Sequence, residues 1–204
     1  VGVIATLGEL PGADYGESRY IVLIGRNPAE GVTPAILVGI AAARDKGAKL
    51  VVVDPRLNNT AIMADEWLSI RPGTDLALLL AWANVLIGED LYDADFVTRY
   101  GEGFAEFGQA VQGYTPEWAA EITTIPADTI RRIAHEMAGA RPRVFIDPSW
   151  HGAFGSHYIN STQTARAVAL VNAMLGNINR VGGLIFPKGA KLGDLDPAQH
   201  PAPA

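Results

Sequence analysis

Two apolar segments, spaced one helix apart, constrain the fold of this chain more than any other feature of its sequence. The run Tyr20-Ile-Val-Leu-Ile ends on Gly25, and the run Lys49-Leu-Val-Val-Val ends on Asp54. Runs of this kind, without polar alternation, are typical of parallel strands that are covered on both faces. A helix-length segment at 32–46 separates them, as in a doubly wound sheet that holds a nucleotide at the carboxyl ends of its strands.

The rest of the chain extends this unit. We predict an α/β fold of three layers, with a mainly parallel, doubly wound sheet and an inserted helical lobe. The predicted strands are 20–25, 49–53, 67–70 and 143–146, with a last short strand at 184–186. The predicted helices are 32–46, 75–87, 94–100, 104–112, 116–122, 128–138 and 160–175. Residues 1–19 are predicted to be a loop-rich lead-in.

The domain organisation expected from these elements is one fragment of a larger subunit. Residues 20–92 and 140–187 form the dinucleotide-binding core, 93–139 the helical lobe, and 188–204 a tail. The chain begins without methionine and ends in a tail rich in proline and alanine, which suggests a piece excised from a longer protein. Trimming of a tag explains the start equally well.

Composition argues against several classes of function. A net charge of −6 over 204 residues argues against a nucleic-acid partner. The absence of cysteine excludes disulfides, zinc thiolate sites and cysteine-ligated iron–sulfur clusters within this segment. No apolar run reaches the roughly 20 residues of a membrane span, and no signal peptide is expected. The 4 histidines are scattered, and no serine lies in a nucleophile elbow, so we predict neither a metal site nor catalytic residues here.

The first turn, from Gly25 to Gly31, lacks the Gly-x-Gly-x-x-Gly spacing of an ordinary NAD site. Asn27 stands where the second glycine would be, and its amide can donate to a phosphate or a base. The alternative is a plain turn in which asparagine and glycine only fit the backbone.

Two later turns carry further candidates. Asp54 follows a predicted strand and suits ribose hydroxyls, unless it only ends the strand. Arg56 can pair with a phosphate or stack on a base, although a solvated arginine is the simpler reading. Asp75 either caps the following helix or accepts two hydrogen bonds from N1 and N2 of guanine, which adenine does not offer.

Several short sequence motifs follow one another along the chain: Ile24-Gly-Arg-Asn-Pro-Ala-Glu-Gly31, Val53-Asp-Pro-Arg56, Ala64-Asp-Glu-Trp-Leu-Ser-Ile-Arg-Pro-Gly-Thr-Asp-Leu-Ala-Leu78, Tyr114-Thr-Pro-Glu-Trp-Ala119, Ile125-Pro-Ala-Asp128, Gln163-x-x-Arg-Ala167 and Asn172-Ala-Met-Leu-Gly176. In order and spacing they resemble the molybdopterin oxidoreductase family of the dimethyl sulfoxide reductase type. That family includes formate dehydrogenases, nitrate reductases and polysulfide or thiosulfate reductases, and the last branch is the most similar. The resemblance runs from about residue 20 to residue 187.

The resemblance implies a middle domain that binds one guanine dinucleotide arm of a bis-molybdopterin guanine dinucleotide cofactor. The implied contacts are Gly25, Asn27 and Glu30 at the phosphates, Asp54, Pro55 and Arg56 around the ribose and base, Gly73 and Asp75 at the guanine, and Ala153 and His157 near the pterin. The family's iron–sulfur cysteines, its molybdenum ligand and its second dinucleotide site lie outside this segment. The fragment alone is therefore expected to be inactive, as part of an oxidoreductase catalytic subunit.

The implied partners are the remaining domains of that subunit, an iron–sulfur electron-transfer subunit and a membrane subunit. A bacterial or archaeal source is implied, with the periplasmic side favoured over the cytoplasm. Two alternatives stay open. One is a cofactor-less structural domain like that of the large NADH dehydrogenase subunit, in which the site residues should have drifted. The other is an NAD(P)-binding module, which should carry the missing glycine motif.

Overall fold

The computed structural model describes residues 2–31, 34–148, 159–186 and 188. The strands are β1 (Gly12–Ala13), β2 (Tyr20–Ile24), β3 (Lys49–Val53), β4 (Glu66–Leu68), β5 (Val144–Ile146) and β6 (Leu184–Ile185). Four of them form a parallel sheet in the order β4-β3-β2-β5. Ile21 of β2 pairs with Leu50 of β3, and Val22 pairs with Ile146 of β5.

The helices are α1 (Gly2–Leu7), α2 (Ala35–Asp45), α3 (Asn59–Met63), α4 (Asp75–Gly88), α5 (Ala94–Tyr100), α6 (Phe104–Val111), α7 (Pro116–Thr123), α8 (Ala127–Gly139) and α9 (Ser161–Met174). They lie on both faces of the sheet. Alternate residues of β2 face opposite sides, as the pleat requires. Val22 joins a core with α4, α7, α8 and α9, whereas Ile21 joins a second core with α2 and α3. The predicted three-layer, mainly parallel α/β fold is confirmed.

Helix α4 lies in the middle of the first α-layer, because its sequence is apolar on nearly all sides. It contacts α7, α8 and α9. Helices α5 to α8 fall inside the segment 93–139 that was predicted to be a helical lobe. Val111, Ile125 and Ile130 from this segment nonetheless share one hydrophobic core with the sheet. The division of the chain into a core, a lobe and a tail stays a prediction.

The lead-in was wrongly predicted to be mainly loop. It contains α1, β1 and a 3-10 helix at Tyr15–Glu17. Strand β1 pairs antiparallel with β6, and α1 packs against α9 so closely that a Cβ at Gly2 would lie 2.4 Å from the Thr162 carbonyl. These partners lie more than 150 residues away in sequence, so local patterns did not reveal them.

Two strands have different bounds in the structure from those predicted. The strand expected at 67–70 runs from Glu66 to Leu68. The last short strand, expected at 184–186, ends at Ile185 and pairs with β1 outside the parallel sheet.

Charged side chains fasten α8 to the amino ends of the strands. Glu66 and Glu136 form ion pairs with both Lys49 and Arg132, and the Lys49 Nζ lies 2.7 Å from the Glu136 carboxylate. The Tyr20 hydroxyl donates to the same carboxylate at 2.7 Å. Burial alone would raise the pKa of Glu136, but hydrogen bonds from Lys49, Tyr20 and Arg132 outweigh it and lower the pKa to about 2.

We predict that Glu136→Gln lowers the free energy of unfolding at pH 7 by about 1 kcal/mol, since solvent screens this half-exposed group. Because the folded-state pKa lies below the ordinary value of 4.5, the contribution is complete above pH 4.5 and is lost as the pH falls toward 2. The difference between variant and wild type should therefore shrink over that range, measured by urea unfolding.

Glu117→Gln is the matched control. Glu117 pairs with Arg131, but its side chain is 64% exposed, so the change should stay within about 0.5 kcal/mol. Equal losses in the two variants would contradict a special role for the Glu136 cluster.

Candidate functional site

The turns after β2, β3 and β4 meet at the carboxyl edge of the sheet. Gly25 follows β2 with a φ of 60°, and its N–H donates to the Val53 carbonyl at 2.8 Å. Asp54 follows β3, and its N–H donates to the Leu68 carbonyl at 3.2 Å. These bonds continue the sheet past the ends of the strands. The edge is where open α/β sheets bind ligands.

The side chain of Asn27 faces the protein. Its Oδ1 accepts from the Thr60 hydroxyl at 2.6 Å, and its Nδ2 donates to the Glu30 carboxylate at 2.7 Å. The Thr60 hydroxyl also accepts from the Ala29 N–H at 3.1 Å. Asn27 and Glu30 both lie in the first turn, and their predicted place beside a phosphate stays a prediction. The Asn27 amide, however, is engaged in shaping the turn.

The side chain of Asp54 also forms hydrogen bonds with other residues of the chain. It is 5% exposed, its Oδ1 accepts from the Arg56 N–H at 2.8 Å, and its Oδ2 accepts from Asn58 Nδ2 at 2.9 Å. Asn58 in turn caps α3, because its Oδ1 accepts from the Ala61 N–H at 2.9 Å. Pro55 and Arg56 are exposed at the rim of the edge. A ribose contact by Asp54 stays a prediction.

Asp75 opens α4 and is half-buried. Burial raises the pKa of its carboxyl to about 6, its own backbone N–H opposes this, and the negative charge of Asp54 adds to the rise. The structure thus brings Asp54 and Asp75 within electrostatic reach. Gly73, exposed and with a φ of 80°, forms the turn just before the helix. Within the described residues no other side chain donates a hydrogen bond to Asp75, so this carboxylate can accept donors from a ligand.

Ala153 and His157, the two predicted pterin contacts, lie outside the described residues. In the part of the chain that is described, no group of three or more histidine, aspartate or glutamate residues could hold a metal ion. Nor do the described residues contain a helix long and apolar enough to cross a membrane.

Sequence reasoning missed an ion pair between the ends of β2 and β5. Arg26, directly after Gly25, contacts the carboxylate of Asp147, and the two side chains are 12% and 4% exposed. The Tyr15 hydroxyl donates to Asp147 at 2.8 Å, and burial followed by the Asp147 charge raises the tyrosine pKa. Asp147 directly follows β5, so the rule that selected Asp54 could have found it.

This pair occupies the place where the connections leave the sheet on opposite faces, with α2 following β2 and α9 following β5. In doubly wound folds the ligand crevice opens at that switch point. The pair therefore links the ends of β2 and β5 at that switch point.

We predict that Arg26→Met lowers the free energy of unfolding by about 3 kcal/mol, because it leaves the buried Asp147 carboxylate without this cation. Arg44→Met is the control, since the Arg44–Asp65 pair is 36% and 38% exposed and should be worth about 1 kcal/mol or less. Chemical unfolding measures both. Similar losses in the two variants would mean that the buried pair is no more strongly coupled than a surface pair.

Comparison with known proteins adds independent information. A family model described as molybdopterin oxidoreductase matches residues 6–196. The thiosulfate reductase molybdopterin-containing subunit PhsA of Salmonella typhimurium is 44% identical over 179 residues, which cover 88% of this chain and 23% of the relative. Formate dehydrogenase H of Escherichia coli is 34% identical, with 82% of this chain and 23% of that protein covered.

Among solved structures, acetylene hydratase from Pelobacter acetylenicus superposes with a TM-score of 0.80 at 36% identity, covering 86% of this chain and 24% of the other. The chain thus spans about a quarter of the length of the proteins that it matches. Its fold, its ordered motifs and these similarities lead to one conclusion: the chain belongs to the molybdopterin oxidoreductase family.

Proposed function

We propose that this chain binds one guanine dinucleotide arm of a bis-molybdopterin guanine dinucleotide cofactor, within the catalytic subunit of a molybdenum oxidoreductase. Membership in the family supports a molybdopterin cofactor. The position of the candidate residues at the carboxyl edge of a parallel sheet supports a nucleotide as the part that this chain holds.

The observation that carries the proposal is the state of Asp75. Its half-buried carboxylate lies near a second carboxylate, Asp54, and its raised pKa records the cost of keeping it charged there. Donors from a ligand would relieve that cost. Guanine offers N1–H and N2–H side by side, and such charge-assisted bonds are worth roughly 1.5–3 kcal/mol each. Adenine has no matching pair of donors.

The other residues fit the remaining parts of a nucleotide. The turn containing Gly25, Asn27 and Glu30 would hold the phosphates through its backbone. Pro55 and Arg56, exposed beside Asp54, would flank the ribose and base, and the guanidinium would offset phosphate charge. These residues bind and orient the dinucleotide arm. When bound in the complete protein, the cofactor would supply oxidation–reduction chemistry.

The activity of the whole protein is part of the same proposal. The parent would be an oxidoreductase of the polysulfide, thiosulfate, nitrate or formate class, and the similarity to the thiosulfate reductase subunit PhsA favours the sulfur branch. Other domains would hold the iron–sulfur cluster and the second dinucleotide arm. We expect an iron–sulfur subunit and a membrane subunit as partners, and a periplasmic location.

We predict that the chain binds GDP more tightly than ADP, and that Asp75→Asn lowers GDP affinity about tenfold, the loss of one charge-assisted bond. Calorimetric titration measures both affinities. Asp128→Asn is the control, because Asp128 lies in the first turn of α8 as Asp75 lies in that of α4. Equal binding of GDP and ADP by the wild type would reduce Asp75 to a helix-capping residue.

The pKa of Asp75 gives a second expectation. Guanine recognition requires the ionised carboxylate, whose pKa in the free chain is about 6. GDP affinity should therefore be constant above about pH 7 and fall as the pH drops through about 6, by about the tenfold that Asp75→Asn loses. The GDP phosphate titrates in the same range, so the Asp75→Asn titration is the reference. Parallel pH profiles for the two proteins would exclude Asp75 as the guanine acceptor.

A further inference from the structure

We propose that Thr60 is a positioning residue for the nucleotide site, because its buried hydroxyl fixes the backbone of the first turn through Asn27 and Ala29. This inference rests on the proposed function, which it deepens by naming what holds the phosphate-binding turn in place. The sequence analysis did not select Thr60. This residue lies in α3, between β4 and the turn that follows β3, which we call the second turn (residues 54–58).

The hydroxyl and the N–H of Thr60 both form hydrogen bonds with the first turn. Thr60 is 0% exposed. Its hydroxyl donates to Asn27 Oδ1 at 2.6 Å and accepts from the Ala29 N–H at 3.1 Å, and its own N–H donates to the same Asn27 oxygen at 3.3 Å. Removing the hydroxyl is costly, because the Ala29 N–H loses its acceptor and Asn27 Oδ1 keeps only the longer bond from the Thr60 N–H.

The position of Thr60 is itself determined by the second turn. Asn58 caps α3 and donates to Asp54 Oδ2 at 2.9 Å, and both residues are buried. The indole N–H of Trp67 in β4 donates to the Asp54 carbonyl at 2.8 Å. These residues, Asn27, Asp54, Asn58, Thr60 and Trp67, form a turn network that links the ends of β2, β3 and β4.

The turn network decides which backbone groups remain for a ligand. In the first turn, the N–H groups of Ala29, Glu30 and Gly31 donate to Thr60, Asn27 and Pro28 respectively. Among the described residues, the N–H groups of Arg26 and Asn27 have no hydrogen-bond acceptor. They are the donors that this turn offers to a phosphate. Because the Asn27 side chain is anchored on Thr60, the position of the Asn27 N–H depends on the threonine hydroxyl.

A turn preorganised in this way binds an anion at lower entropic cost than a loose one. Thr60 therefore acts on the nucleotide without touching it. A buried threonine with only a structural role would affect the free energy of unfolding alone. A positioning residue would affect the affinity for the nucleotide as well.

The test compares Thr60→Val, which removes only the hydroxyl, with Thr60→Ser, which restores it. Thr60→Val should weaken GDP binding about tenfold, equivalent to the loss of one bond to a charged group, whereas Thr60→Ser should stay near wild type. In the absence of nucleotide, the Ala29 amide should exchange with solvent faster in Thr60→Val than in Thr60→Ser.

Thr164→Val is the control. The buried Thr164 hydroxyl donates to the Asn160 carbonyl at 3.0 Å, and both residues lie at the start of α9. This substitution should lower stability without changing GDP affinity or Ala29 exchange. If Thr60→Val does not fold, Asn27→Ala removes the same bond from its other end, and the same tenfold weakening is expected.

Unchanged GDP affinity in the folded Thr60 or Asn27 variant, with binding by the wild type, would overturn the positioning role and leave the proposed function intact. A wild type that binds no GDP would overturn the proposed function, and with it the nucleotide role of Thr60.

Discussion

The parallel direction of β2, β3, β4 and β5 is the constraint on which the rest of this structure depends. Strands that run the same way need helices to return the chain, and the helices cover both faces of the sheet. The central strands are consequently buried along nearly their whole length, with Ile21, Val22 and Leu50 each 0% exposed. Polar side chains can then be accommodated only at the ends of these strands. Because the strands are parallel, all their carboxyl ends lie at the same edge of the sheet.

The charged groups around Glu136 and around Asp75, at opposite edges of the sheet, differ in their balance of charge. At the amino edge, Lys49 and Arg132 lie between Glu66 and Glu136, so two cations balance two carboxylates. At the carboxyl edge, Asp54 and Asp75 approach one another, and the pKa of Asp75 rises. A balanced cluster stabilises the fold. A carboxylate without such compensation is instead a common property of functional sites, and this difference favours the carboxyl edge as the candidate site.

The turns at the carboxyl edge are stiffened by the hydrogen bonds of the turn network. Asn27 and Asp54, the residues that seemed most suited to touch a ligand, are also the residues that hold the turns together. The same segment is matched by a thiosulfate reductase subunit and by an acetylene hydratase. Proteins named for such different reactions share this segment, which supports the proposal that it holds a cofactor.

The sequence by itself determined the layered fold and the family. Unbroken runs such as Lys49-Leu-Val-Val-Val can be satisfied only by burial on both faces. The apolar run of 75–88 has the length of a buried helix, and Asp93 caps the helix of 94–100. It also selected Asp54 and Asp75, because residues after strands share an edge whatever the details of packing.

Only the tertiary structure decided the roles of Thr60, Arg26 and Asp147, and the structure of the lead-in. Their partners lie 33, 121 and more than 150 residues away, and no local pattern specifies which distant group a hydroxyl, a guanidinium or a two-residue strand will meet. Packing brings these groups together first. Hydrogen-bond geometry, which is sensitive to fractions of an ångström, then determines what each of them holds.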